Sequence, residues 1–512
     1  MRNAQIGLEY IVGSLLLLLS SSAIGASINS QLSLFSQTIE TGFRLTHPIL
    51  PVNLFGDTTK ELVTIGVDDN QVRWLAIYGF DFDSGQYRQQ YKQALPLALF
   101  AFDITPVDDE LPLGLQSLYF LSSEQLLKLD VSGEQLAFKS LMTISPLIMT
   151  SRPDFISRGS FVRDLNKDGL DDFIITSLNQ AELLIQQADA SLLKQFLPIK
   201  PQVLLYRDGA RYIEANLYFA DLNLDGRNDI VKVAEGELEL YAQRPDGTFS
   251  TIAKYQPVSL AISGLDWWNK RDAYGEALDQ SDLVYRKVEQ LKDINNDGLV
   301  DMVVRYTKSS GVLERVNDYE LYLGEQKAQG IVFGKQPSNV IRADGTLTGF
   351  ELVDIDDDNI DEVLVSGFDI GLSQIIGALV SGSIDQDVYL FKMNANGKFP
   401  KKANISKDVE LSFSLTSGQS GSPIVKLVDL DGDGYQDLLL SDGEESLRVY
   451  LGQDDGDLFS RNSETLKVLL PSDGEMLSGD DLNHDGRSEL IINYGRQDSR
   501  ALQSQFVVIM AK

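Results

Sequence analysis

The sequence predicts an all-β fold, a β-propeller of eight four-stranded blades, with seven blades as the alternative. Three observations predict it. One acidic nine-residue pattern recurs six times, and each copy runs into a short apolar stretch such as FIIT, IVKV or LLLS. Such stretches, rich in Ile, Val and Leu, read as buried strands. The copies start 57, 72, 61, 75 and 52 residues apart, which suits one blade per repeat rather than one coil of a solenoid. Behind each comes another strand, a turn and often Gly-x-aromatic, as in ELELYAQRPDGTF (237–249) and LRVYLGQDDGDLF (447–459). A blade therefore reads strand A, acidic loop, strand B, connector, strand C, turn, strand D.

Composition limits the chemistry. The 512 residues hold 75 Asp+Glu against 44 Lys+Arg, a net charge of −31, with 43% hydrophobic residues. That is ample for a core and too acidic for nucleic acid, whose phosphates call for Lys and Arg. With no Cys and two His, disulfides, thiol catalysis and multi-His metal sites are excluded. Surplus carboxylates suit a hard cation.

Residues 1–26 have the layout of a secretory signal. Arg2 lies in a polar start, Ile11 to Leu19 form an apolar core, and small residues lead to a cleavage site near Gly25 or Ala26. The apolar core is shorter than the roughly 20 residues that span a bilayer. The mature chain, 27–512, is expected to be one propeller domain, exported to the periplasm, the cell surface or the medium, with no stable membrane span. Residues 31–40 (QLSLFSQTIE) precede the first strand A, and the last blade stops after strand C at QFVVIMA. Pairing the two closes the ring and removes an exposed sheet edge. Residues 27–160 hold two degenerate blades: NLFGDTTKELVTIG keeps Asp57 and Glu61 of the pattern but has Phe55 at position 3, and the stretch from Asp103 keeps strands without ligands.

From 160 to 512 six blades carry the acidic loop. Its oxygen-bearing positions 1, 3, 5 and 9 are Asp164, Asn166, Asp168 and Asp172; Asp221, Asn223, Asp225 and Asp229; and Asp293, Asn295, Asp297 and Asp301. The remaining three loops place Asp354, Asp356, Asp358 and Glu362; Asp429, Asp431, Asp433 and Asp437; and Asp481, Asn483, Asp485 and Glu489 there. Alternate residues of a tight loop point inward, and Gly or Asn at position 6 allows a left-handed turn. The carbonyl at 7 and the carboxylate at 9 complete an oxygen cage for Ca²⁺, in up to six loops. The cage shares the front half of the EF-hand loop but lacks its Glu at position 12, and Mg²⁺ fits worse because it keeps its waters. The bland reading is a set of metal-free Asp-Gly turns.

These loops and the strands behind them resemble the FG-GAP/VCBS repeat family, which includes the propeller of integrin alpha chains. The likeness covers 160–512 well and 40–160 weakly. The literal Phe-Gly and Gly-Ala-Pro signatures are mostly absent, apart from dipeptides such as Phe333-Gly334, so the chain looks closer to bacterial secreted members. The resemblance implies structural calcium and a role in adhesion, glycan contact or protein contact. It names no partner.

Topology then places the binding surface. In an up-and-down blade the A–B and C–D loops share one rim, and the B–C and D–A loops share the other. Connectors 177–201, 256–286, 305–317 and 367–386 all fall on the rim opposite the acidic loops. Leu183, Leu184, Leu192, Leu193 and Phe196 have roughly helical spacing and predict a core-facing helix in the first; the nearly uncharged 367–386 is expected to pack on the scaffold. In 256–286, Trp267, Trp268, Lys270, Arg271 and Tyr274 put aromatic rings beside planar polar groups, which suits a sugar or a protein hot spot; alternatively the Trp pair is the loop's own small core. The leading function is a protein- or glycan-binding or adhesion module, with an extracellular or envelope protein or a glycan as partner. The alternatives are a polysaccharide lyase or hydrolase acting on the insertion rim, for which no catalytic residue stands out, and an envelope assembly scaffold.

Overall fold

The structure, a computed structural model, describes residues 34–107, 114–147, 155–206, 208–311, 314–328, 330–343, 345–368, 383–394, 396–414, 419–453 and 457–511. The signal-like segment 1–26 and most of connector 367–386 lie outside these residues.

Eight antiparallel sheets follow one another in chain order, one per predicted blade. Strands A to D of blade 3 are Val162–Arg163, Asp172–Thr176, Ala181–Gln186 and Leu192–Leu197, and those of blade 4 are Leu217–Ala220, Asp229–Val233, Glu237–Tyr241 and Lys254–Pro257. Blades 5, 6 and 7 begin at Leu283, Thr346 and Val425, and blade 8 takes Leu477–Asp480, Glu489–Asn493 and Gln505–Ala511. Its fourth strand is Leu34–Glu40, antiparallel to the third, with Leu34 opposite Ala511 and Glu40 opposite Gln505. The two weak copies are full blades: blade 1 runs from Arg44 to Ala94 and blade 2 from Leu99 to Thr143. The count is eight, not seven.

The core is divided rather than continuous. Eight apolar clusters fill eight blade-to-blade interfaces, one each. Inner strands are therefore buried on both faces, as in Ala181 to Ile185, where five successive residues are buried. This corrects the helix expected in 177–201. An apolar run sandwiched between two sheets loses the alternation of a strand and mimics helical spacing. Leu183 and Leu184 belong to strand C, while Leu193 and Phe196 lie on the outer strand D, where they are exposed. Connector 305–317 is likewise mostly the extension of strands B and C of blade 5, Asp301–Ser309 and Arg315–Tyr322.

The seam between blades 8 and 1 is built like the other interfaces. Ile39, Phe506 and Val508 pack against Leu62, Ala76 and Tyr78, with the Phe506 and Tyr78 rings edge-on at 5.2 Å. Phe506→Ala is expected to cost about 3–5 kcal/mol, the usual loss for a fully buried aromatic, measured by denaturant unfolding. A loss below about 1 kcal/mol would contradict a close-packed seam.

Candidate metal centre

All six acidic loops share one backbone. Position 6 has φ between 63° and 92°, in five glycines and Asn359. Position 4 is also left-handed, with φ between 53° and 78°, in Lys167, Leu224, Asn296, Asp357, Gly432 and His484. Side chains other than glycine rarely adopt this conformation; Asn, Asp and His do so more readily than most, and Lys167 and Leu224 belong to none of these types. The position-1 aspartate enforces the turn. Its carboxylate accepts from the position-6 N–H in every loop, at 2.7–3.0 Å. The position-5 carboxylate accepts from the position-7 N–H at 2.9–3.1 Å.

Position 9 forms the floor beneath each loop. Asp172, Asp229, Asp301, Glu362, Asp437 and Glu489 are 0–1% exposed. One oxygen accepts from the position-2 N–H, for example from Leu165, Ile294, Leu430 and Leu482 at 2.8–3.1 Å. In four of the aspartates the other oxygen accepts from a backbone N–H at or just past the end of strand C, namely Gln186, Gln243, Gly324 or Gly452. Burial pushes these carboxyls up, to about 7 for Asp172, Asp229, Glu362 and Asp437, about 6 for Asp301 and about 8 for Glu489; neighbouring loop carboxylates add to the rise.

Position 2, which the sequence reading passed over, ties the loop into the ring. Leu165, Leu222, Ile294, Ile355, Leu430 and Leu482 are each buried in the interface with the following blade. The loop backbone is bonded across the same boundary. Leu222 O, Ile355 O and Leu482 O accept from the N–H of Ile331, Gln436 and Lys60, and Asp429 O accepts from Ser488 N–H. Blade 1 keeps this mechanical half of the motif: Leu54 and Phe55 N–H donate to buried Glu61, and Asn53 O accepts from Gln116 N–H of blade 2. With Phe55 at position 3 it has lost the ligand half.

The oxygens converge unequally. Asp354, Asp356 and Glu362 form one group and Asp429, Asp431 and Asp437 another, with one oxygen of each residue within 4.8 Å of the others. Both acidic clusters can hold a metal ion. The other four loops carry Asn at position 3, so an amide must supply one of the oxygens there. A cation suits the loops by a separate test: buried oxygens with no hydrogen-bond partner remain on Asn223, Asp356, Glu362, Asp431 and Asp481, all at expected ligand positions.

The opposite rim brings the aromatic residues together but separates their roles. Trp267 is buried beneath Arg315, whereas Trp268 is 48% exposed with the Arg305 guanidinium 5.1 Å from its ring. Lys270 is held by Glu235. Arg271 stacks on Tyr206 at 4.6 Å and donates to the carbonyls of Trp268 and Lys270. Tyr274 is 77% exposed. Tyr206 belongs to a hairpin the sequence reading missed, Gln202–Tyr206 with Gly209–Ile213, although Asp208-Gly209 is a strong hairpin signal. A cavity of about 520 Å³ lies between this hairpin and the insertion, lined by Tyr206, Asn269, Arg271 and Tyr274. A second, of about 550 Å³, opens where the innermost strands of blades 2 to 5 begin, beside Arg158, Arg163, Phe219 and Lys287.

No protein-family model and no curated protein matches the chain. Among solved structures it is similar to an Agrocybe aegerita lectin that recognises non-reducing terminal N-acetylglucosamine, at 14% identity and TM-score 0.37, covering 82% of this chain and 94% of that one. It is similar to the Vibrio cholerae biofilm matrix protein Bap1, at 12% identity and TM-score 0.36, covering 92% and 88%. A third is the periplasmic gluconolactonase PpgL of Pseudomonas aeruginosa, at 9% identity and TM-score 0.33, covering 82% and 96%. No helix among the described residues is long and apolar enough to cross a membrane.

The raised position-9 carboxyls set a pH dependence for the metal-free protein. Between pH 4 and about 7 the folded state holds protons that the unfolded chain has released, so stability falls as pH rises through that window. In chelator, the melting temperature is expected to drop from pH 5 to pH 8. A melting temperature that climbs over that range would refute the buried-floor account.

Proposed function

We propose that this chain is an exported, calcium-stabilised β-propeller of the FG-GAP/VCBS type that binds a glycan or a protein in the envelope or outside the cell. The observation that carries the calcium reading is the set of partnerless buried oxygens at ligand positions in four of the six loops. A buried oxygen without a donor costs about 1–3 kcal/mol, and a hard cation supplies what the protein does not. Oxygen-only ligands and a flexible ligand count favour Ca²⁺ over Mg²⁺. Up to six loops would take an ion. Its part would be structural: it would hold the carboxylates ionised and fix each A–B turn against the next blade.

The binding role rests on the opposite rim. Tyr274 is exposed at the edge of the cavity of about 520 Å³, Trp268 is half-exposed next to the cavity residue Asn269, and Arg271 is locked in place by Tyr206 and two carbonyls. Rigid aromatic rings next to fixed polar groups favour a sugar face or a protein side chain. The export reading rests on residues 1–26.

Two measurements test this. Millimolar Ca²⁺ is expected to raise the melting temperature of residues 27–512 by several degrees over chelator, with Mg²⁺ much less effective; extracellular sites of this kind bind at roughly 10⁻⁴–10⁻³ M. Equal melts in all three buffers would sink the calcium reading. On a panel of immobilised polysaccharides and envelope proteins, Trp268→Ala with Tyr274→Ala is expected to weaken retention at least about tenfold while leaving the melt unchanged. Undiminished retention would place the contact elsewhere.

A further inference from the structure

The six loops are not electrostatically equivalent. Extending the B–C register of each blade by one step places one residue across from position 9. That residue is Ile185 in blade 3, Ala242 in blade 4, Leu323 in blade 5, Leu451 in blade 7 and Met510 in blade 8. In blade 6 it is Lys392. Five apolar side chains and one lysine thus occupy equivalent places. Lys392 turns its Nζ into the Asp354 loop, where it meets Asp356 and lies 3.4 Å from Asp358. Only 28% of its side chain is exposed.

This is one of the two loops with Asp rather than Asn at position 3. The other, from Asp429, also has four carboxylates at positions 1, 3, 5 and 9, with Leu451 at the facing position. At those positions the pair is equal in charge; Asp357 and Asp361 add two further carboxylates to the Asp354 loop, of which Asp361 is paired with Lys292. The ammonium makes them differ, because a tethered cation already neutralises two of the carboxylates a metal would use. An ammonium held this close to ligand carboxylates competes with a metal ion for them by direct charge attraction. The loop is still built for an ion: Glu362 Oε1 and Asp356 Oδ1 are buried without hydrogen-bond partners, so Lys392 satisfies the site incompletely.

We propose that Lys392 is a built-in competitor for the Asp354 loop, a specificity-determining residue that makes this loop a weaker metal site than the Asp429 loop. The inference rests on the calcium reading and deepens it. When metal is scarce the lysine holds the turn together, and a divalent ion enters only by displacing it.

The test is titration of purified residues 27–512 with Ca²⁺ by calorimetry, and with Tb³⁺ by sensitised luminescence. Six proteins are compared: wild type, Lys392→Leu, Lys392→Gln, each lysine variant with Asp356→Asn added, and Asp429→Asn. Lys392→Leu and Lys392→Gln are expected to tighten one site at least about tenfold, and Asp356→Asn placed on either background abolishes that gain. In chelator both lysine variants melt below wild type, and Ca²⁺ restores them. Asp429→Asn is expected to remove a site that binds more tightly than the Asp354 loop does in wild type. Lysine variants that titrate like wild type, while Asp429→Asn loses a site, would overturn this inference alone. Absence of metal binding in wild type and both lysine variants would overturn the calcium reading and this inference with it.

Discussion

Burial on both faces governs this molecule. A four-stranded sheet with two apolar faces has no stable existence alone, because nothing covers either side. Each blade here is completed by its two neighbours, and the neighbours by theirs, until the ring returns to its start. The eight separate clusters record that arrangement. No blade interface is optional, which is why blades 1 and 2 persist as full sheets although their loops have lost the acidic ligands.

The acidic loops join this packing to electrostatics. The position-2 side chain enters the interface with the next blade, its N–H goes to the buried carboxylate at position 9, and in several loops its carbonyl crosses to that blade. Whatever changes the charge state of the loop therefore acts on a packed boundary and not on a free turn. Position 8 adds to the same joint from the other side: Asp171 accepts from Thr105 Oγ1 and the Tyr119 hydroxyl of blade 2, and Asp361 pairs with Lys292 of blade 5. Carboxylates that look interchangeable in the sequence divide into ligand positions at the tip and structural groups at the base.

Much of this was legible in the sequence. The repeat, the strand order and the N-terminal strand completing blade 8 follow from pattern and spacing, because a closed ring of sheets leaves few ways to arrange them. Periodicity failed where burial is two-sided: Leu183 and Leu184 read as helix because neither faces water. The 202–213 hairpin was missed although Asp208-Gly209 marks its turn. Within the site, the recurring carboxylate and amide positions were readable from residue type. The left-handed backbone at position 4 was only half legible: Asn296, Asp357 and Gly432 favour it, whereas Lys167 and Leu224 do not and are held there by the amides gathered on the position-1 carboxylate. The two Trp residues, adjacent in sequence and edge-on to each other at 5.5 Å, differ in exposure: Trp267 is buried beneath Arg315 and Trp268 is half-exposed.

The strand shared between blade 8 and the N-terminal side has a kinetic meaning. Thr41 bonds to Ser504 across 463 residues, so the interface that closes the ring joins the most distant parts of the chain. Contacts of such separation slow folding, because the chain must be searched before they form. Once made, the same seam works in the opposite sense. A ring with no free edge offers no blade from which to peel, so opening requires one interface to part while its neighbours still hold. Such a molecule is expected to assemble slowly and to come apart slowly, with a lifetime set by the unfolding barrier as well as by its equilibrium stability.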